Sequence, residues 1–282
     1  MCTIPILNCI VRESYSPPEA VYETLKRSGM DLVTVTDHDS IGSHESLSRY
    51  PDFFLSEEVT CRLPSGTLVH LGVYDIAERQ HLGIQARRDD LPRLLAYLNE
   101  QEILFSLNHP FSSLTGRREP GDFEWFSASF PNLEVLNGHL LPNNNRLAKT
   151  LARACRQGTI AGSDAHTVLS LGSAFTEVPG ARNREEFIRG LRSGMGRVHG
   201  RAGSYWNLTR DVLLVALQSL IEKPILTLLA PFALAIPAVT LLNCLLEARF
   251  VRRYGEYALN HRASRAQSRI RRRSLGPVEV VT

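Results

Sequence analysis

The chain carries no paired cysteines of the C-x-x-C kind, and its five cysteines, Cys2, Cys9, Cys61, Cys155 and Cys244, are scattered and odd in number. That pattern speaks against a disulfide framework and against a thiolate zinc site, and it fits a reducing compartment. A secretory leader is not expected at Met1 to Val11, which is apolar but has no basic start and no convincing cleavage site. There is no internal repeat. Net charge is low at +3, so no strong field of one sign covers the whole molecule.

What is present is the composition of a globular protein, with 43% apolar and 22% charged residues over 282 positions. Short apolar runs alternate with helical patterns. Strands are expected at Asp31 to Thr36, Phe53 to Val59, Leu68 to Tyr74, Ile103 to Leu107, Leu133 to Leu136, Thr159 to Ala161 and Ala174 to Val178. Helices are expected at about Ala20 to Arg27, Leu91 to Glu100, Arg146 to Gln157 and Arg184 to Arg192, the first opened by Ser16 as N-cap with Glu19 completing a capping box. This order predicts an α/β fold with a mainly parallel sheet or barrel, whose functional groups lie at the carboxyl ends of strands.

The composition shifts after Arg210. Pro224 to Leu246 contains no charge, and at about 1.5 Å per residue a helix of that length would reach across the roughly 30 Å core of a bilayer. Pro231 and Pro237 count against a straight span. Beyond it, nine arginines fall between Arg249 and Arg273 against one acid, Glu256. The reading is a three-part chain: a catalytic domain over 1–205, an apolar helical appendage over 206–248 and an arginine-rich tail over 249–282. The apolar part is either a buried hairpin or a re-entrant or interfacial anchor with both ends cytoplasmic, and the tail either a lipid- or nucleic-acid-binding element or a solvated one. The expected location is cytoplasmic and membrane-associated, with lipid as the partner of the C-terminal segment.

Three stretches carry chemistry: Thr36-Asp37-His38-Asp39, Asn108-His109-Pro110 and Gly162-Ser163-Asp164-Ala165-His166, each directly after a strand-like run. Imidazole nitrogens and carboxylate oxygens are ligands for zinc, manganese and iron, and such ions together can clamp a phosphate and activate water. Glu58 ends the next strand and could bridge two cations, although its neighbour Glu57 is an equal choice from the residues alone. His70 lies inside an apolar run, where an unpaired imidazole is costly to bury. Pro110 predicts extended backbone at His109. His44, His81, His199 and His261 read as structural or exposed.

Together these residues resemble the PHP (polymerase and histidinol phosphatase) domain family over about Ser16 to Gly200, through "SPPEAVYETLKRSGMDLVTVTDHDSIG", "EVT", "VHLGVYDI", "LNHPF", "LEVLNG" and "GSDAH". The resemblance implies a distorted β/α, TIM-like barrel with two or three divalent ions that hydrolyses phosphate esters. It implies Glu58, His70 and His109 as one metal's ligands with Glu58 shared, His38 and His166 as part of a second set, and Asp164 as a ligand of a third. Glu134 and Asn137 correspond to a pocket-lining segment. Asp37 or Asp164 would orient water or move its proton, and Asn137, like Glu134, would line the substrate site or be structural. Arg117 and Arg118, about eight residues beyond His109, are candidates to grip phosphate through paired guanidinium donors, with a solvated basic loop as the alternative. The expected partner is a small phosphorylated substrate or a nucleotide.

The sequence departs from the family at its opening. Where members carry Asp-Leu-His-x-His, this chain has Leu7-Asn8-Cys9-Ile10-Val11, with Glu13 as a weak substitute for a following ligand. Two readings follow: an enzyme impaired by lost ligands, or a degenerate PHP-like metal-binding module acting as a membrane-associated binding protein.

Overall fold

In the computed structural model, residues 16–223, 230–231 and 233–274 are described, with side chains described through residue 257. The Leu7–Val11 stretch, Glu13, Cys2 and Cys9 lie outside the described residues. The chain order is α1 (Pro18–Arg27), β1 (Thr36–His38), α2 (His44–Leu47), β2 (Ser56–Arg62), β3 (Leu68–Tyr74), α3 (Glu78–Gln85), α4 (Leu91–Glu100) and β4 (Leu104–Asn108). It continues through α5 (Asp122–Ala128), β5 (Asn132–Asn137), α6 (Pro142–Cys155), β6 (Gly158–Gly162), β7 (Ala174–Glu177), α7 (Arg184–Arg192), β8 (Arg197–Gly200), α8 (Tyr205–Glu222) and α9 (Ile236–Ser274).

Strands β1 to β6 form one sheet in chain order, and β7 pairs with β8 in a separate antiparallel ribbon. The sheet is mixed rather than mainly parallel: β1/β2, β4/β5 and β5/β6 are parallel, but β3 runs antiparallel to both neighbours. A five-residue link from Leu63 to Thr67 is too short for a parallel crossover, so β2 and β3 must form a hairpin. Among the described residues the sheet stays open rather than closing into a full barrel. Beyond β6 the ribbon is attached through side chains: Thr176 Oγ1 accepts from the Ala161 amide at 2.8 Å, and Thr159 Oγ1 donates to the Gly196 carbonyl at 2.9 Å.

Alternation along each strand decides the rest. Val59, Leu71, Val73, Leu107, Leu133 and Val135 point to one face and form the main core with Leu91, Leu94 and Leu98 of α4, Phe123 and Phe126 of α5 and Leu147 and Leu151 of α6. Glu58, His70, Ser106, Asn108 and Glu134 sit on the opposite parity, facing inward. Glu57 shares the helical side with Val59, where His81 Nδ1 and Gln85 Nε2 meet its Oε2 at 2.9 and 2.8 Å. The parity of β2 thus separates two adjacent glutamates that composition cannot tell apart.

Helix α1 begins at Pro18, one residue later than a Ser16 cap allows. Its N-cap is Pro17, which offers no side-chain acceptor, so the capping-box reading fails. The C-terminal helix docks on the domain through residues just past the uncharged run. Phe250, Val251 and Tyr254 of α9 belong to the main core, and α9 runs without a break into the arginine-rich segment. Glu247 fastens it. The carboxylate, 3% exposed, accepts from Ser112 Oγ, the Ser113 amide, Ser113 Oγ and Asn144 Nδ2 at 2.5–3.1 Å.

Candidate metal centre

Because β3 is antiparallel, residues near its start lie level with the ends of β1 and β4: His38 pairs with Glu58, and His70 pairs with Asn108. Glu58 stands at the middle. Its Oε1 is 3.0 Å from His109 Nε2 and 3.5 Å from His70 Nδ1, while Oε2 is 3.3 Å from His38 Nε2. His70 Nδ1 and His109 Nε2 are 3.2 Å apart. Ligand atoms on a tetrahedral ion with bonds of about 2.1 Å would be roughly 3.4 Å apart, so these donors already stand at coordination spacing. Each Glu58 oxygen has its own imidazole set, the division a bridging carboxylate needs.

Glu58, His70 and His109 are all buried. Burial alone would raise the Glu58 carboxyl, but hydrogen bonds and charge from His109 and His70 hold it well below the usual carboxylate range. Burial pushes the His70 imidazolium down. It would do the same to His109, but the Glu58 carboxylate outweighs it and lifts that ring to about 9. The site therefore draws positive charge to the point between His109 and Glu58. Two ring nitrogens, His38 Nδ1 and His109 Nδ1, are buried with no hydrogen-bond partner. Those nitrogens are on the far side of each ring from the Nε2 atom that faces Glu58, and the imidazole and carboxylate donors gathered around Glu58 suit a divalent metal ion.

A second layer fixes Glu58. Asn108 Nδ2 donates to Glu58 Oε1 at 3.0 Å, Ser106 Oγ donates to Asn108 Oδ1 at 2.8 Å, and Tyr74 Oη shares a 3.0 Å hydrogen bond with Ser106 Oγ. Gly72, opposite Glu58, makes this possible, since a Cβ there would come within 2.2 Å of Tyr74 Oη. Asn108 belongs to the Asn108-His109-Pro110 stretch, but the sequence alone gives it no role of its own. Its signal lay in its parity with Ser106 on a strand that ends in a ligand.

The other half of the site is carried by β5 and the loop after β6. Glu134 Oε2 accepts the His109 amide at 2.9 Å, and Asn137 Nδ2 reaches both Glu134 oxygens and, at 3.1 Å, Asp164 Oδ2. Burial raises the Glu134 carboxyl to about 7. Burial would raise Asp164 as well, but the nearby His166 and His139 charges bring it below its usual value. His166 Nδ1 lies 3.1 Å from the Asp164 carbonyl, and its ring is 5.2 Å from that of His139. His139, which burial also shifts down, was not singled out from sequence because a lone histidine after Gly138 carries no pattern.

Asp39, His109 and Asp164 have positive φ of 52°, 30° and 48°. His109 departs from the extended backbone expected before Pro110. Its amide is tied to Glu134 and its ring to Glu58, and two buried carboxylates hold the left-handed turn in place. Asp37 lines the cavity, with Oδ2 accepting the Ser43 amide at 3.3 Å. Arg118 must be withdrawn as a phosphate ligand: it is buried outside the cavity, donates to the Pro110, Leu68 and Thr115 carbonyls and to Thr115 Oγ1, and packs over Phe126 and Phe250. Arg117 is exposed and is not among the residues lining the cavity. The guanidinium residues that do line it are Arg182 and Arg184. Among the described residues this cavity measures about 1110 Å³ and includes His38, Glu58, His109, Asn137, Asp164 and His166 in its wall.

Residues 142–195, from α6 through α7, match the family described as PHP-associated. The chain matches that family over 54 of its 282 residues. Its fold is similar to that of PsfC from Pseudomonas syringae PB-5123, with 19% identity, a TM-score of 0.53, and coverage of 73% of this chain and 89% of that one. It also aligns with a protein from Bifidobacterium adolescentis named for a metal-dependent phosphoesterase, at 12% identity, TM-score 0.46 and coverage of 64% and 92%. A third alignment is with the lesion-specific endonuclease PfuEndoQ from Pyrococcus furiosus, at 17% identity and TM-score 0.47, covering 65% of this chain and 54% of that enzyme. No curated protein matches the sequence.

Proposed function

We propose that this protein is a PHP-type, metal-dependent hydrolase of phosphate esters. The observation that carries this reading is the buried Glu58 carboxylate, its two oxygens shared among three imidazoles at 3.0–3.5 Å. Glu58, His70 and His109 would hold one divalent ion, His38 would face a second from Glu58 Oε2, and Asp164 and His166 would complete the far side. Bound ions would supply Lewis acidity toward a phosphoryl oxygen and a water made acidic enough to attack phosphorus.

The chain's own groups have distinct parts in this chemistry. Asn108 and Ser106 keep Glu58 oriented, so that its oxygens do not rotate away as charge builds up. Asp164, kept ionised by the nearby His166 and His139 charges and held by Asn137, would orient a water at the cavity wall, with Asp37 further along the same wall. Arg182 and Arg184 at the cavity lining offer the paired donors suited to a phosphate.

The second reading, a degenerate metal-binding module, is favoured by one observation, the replacement of the family's opening histidine pair by Asn8-Cys9-Ile10. Metal analysis combined with turnover of p-nitrophenyl phosphate in saturating manganese tests both. Hydrolysis abolished in His70→Ala supports the enzyme. Stoichiometric metal with no turnover, unchanged when Asn8 and Ile10 are both replaced by His, favours the module. Metal content equal to the parent's in both His70→Ala and His109→Ala after dialysis would remove the site altogether.

A further inference from the structure

We infer that helices α8 and α9 form a surface that lies flat on an anionic lipid bilayer, with no segment crossing it. The apolar side chains of this region are outward-facing: Trp206, Leu217 and Ile221 on α8, and Leu241, Leu242 and Leu245 on α9, are each more than half exposed. Side chains of this size gathered on two adjoining helices form an apolar face that water does not favour.

The helix that carries most of it cannot leave the protein to span a membrane. Tyr205 Oη donates to the Pro237 carbonyl at 3.2 Å, Glu247 is held by Ser112, Ser113 and Asn144, and Tyr254 Oη accepts from the Arg118 amide at 3.1 Å. Between Pro237 and Glu247 the helix rises only about 15 Å, half of the roughly 30 Å hydrocarbon core. A crossing would have to pull a buried carboxylate out of three partners and Phe250, Val251 and Tyr254 out of the core.

Lipid is the occupant that the charges select. Directly after Leu246 come the exposed Arg249, Arg252 and Arg253, and the sequence continues basic to Arg273 with Glu256 as its one acid. An apolar face several side chains deep beside a row of arginines matches an acyl-chain boundary beside anionic headgroups. A second copy docking in parallel by the same face would bring the two arginine rows toward each other. Trp206, 75% exposed at the start of α8, has the apolar body and polar edge suited to the headgroup level.

The test is co-sedimentation of the full-length protein with vesicles of phosphatidylcholine alone and of phosphatidylcholine with phosphatidylglycerol. Binding at least tenfold tighter to the anionic vesicles is expected, lost in Leu242→Glu/Leu245→Glu and weakened severalfold in Arg249→Gln/Arg252→Gln, with melting temperature and metal content unchanged in both. Alkaline carbonate should release the bound protein. Three results would overturn the proposal: no sedimentation of the parent, equal sedimentation of parent and Leu242→Glu/Leu245→Glu, or retention through carbonate, which marks a true span. A dimer by light scattering that Leu242→Glu/Leu245→Glu dissociates, without vesicle binding, would assign the face to a second copy.

Discussion

Glu58 and Glu247 are buried to a similar depth, at 6% and 3% exposure, and their surroundings give them opposite work. Around Glu247 stand two hydroxyls, a backbone amide and a side-chain amide, donors whose protons are fixed to them. Nothing there would be improved by an ion. Around Glu58 stand three imidazoles, each able to give up a proton and offer a lone pair, with two ring nitrogens left unpartnered. A carboxylate among fixed donors is a fastening; among exchangeable ones it is a coordination centre.

The comparison breaks most easily at Glu58. Glu58→Gln keeps the shape but offers one poor acceptor oxygen, so bound metal should be lost and any phosphatase turnover should fall by about a thousandfold or more, within the span known for essential catalytic groups. Elemental analysis after dialysis and steady-state rates check it, and an unchanged metal content would equate the two glutamates after all. The mirror experiment is Glu247→Ala. Removing the acceptor leaves buried Ser112 and Asn144 donors unpaired and should cost about 3–5 kcal/mol, read in urea unfolding, while metal content per folded molecule stays at the parent value. Metal lost in step with stability would mean that the wall and the site are one unit.

A finer distinction is expected between ligand and support. His70→Ala should lower metal affinity more than Asn108→Ala does, because Asn108 reaches the ion only through Glu58. For Asn108→Ala a fall of about 10–100-fold in affinity is expected, measured by competition with a chelating dye. Asn108→Asp, which turns the donor into a second negative charge beside Glu58, should do more damage than Asn108→Ala. The smallest effect belongs to Arg117→Ala, an exposed side chain outside the cavity, for which KM should stay within about twofold if it is a solvated loop residue. Arg184→Ala, by contrast, should raise KM for a phosphate ester.

Much of this was readable before any coordinates. His38, Glu58, His70, His109, Asp164 and His166 stand in the sequence at strand ends or in apolar runs where their polarity is conspicuous, and the structure brings Glu58, His38, His70 and His109 together. What periodicity could not supply was the direction of β3, since alternation is the same in parallel and antiparallel strands; only the short Leu63–Thr67 link carried that information. Arg118 was misread because its charge is visible in the sequence and its carbonyl partners are not. The docking of helix α9 is hidden for a related reason: Pro224 to Leu246 stands out as an uncharged unit, while the residues that dock the helix, Glu247, Phe250 and Tyr254, lie just past it among arginines. Helices α3 and α5 and strand β8 were not anticipated, being short and weakly patterned.

The docking of α9 also sets a schedule. Phe126 and Phe250 flank the same arginine, yet 124 residues separate them in the chain. At a synthesis rate of about 5–20 residues per second, the aromatic side of α5 stands uncovered for roughly 6 to 25 seconds after it is made. During that interval the newborn protein presents to the cell the side of Phe123 and Phe126 that α9 later covers, a window in which a chaperone, or a neighbouring nascent chain, reaches that surface first.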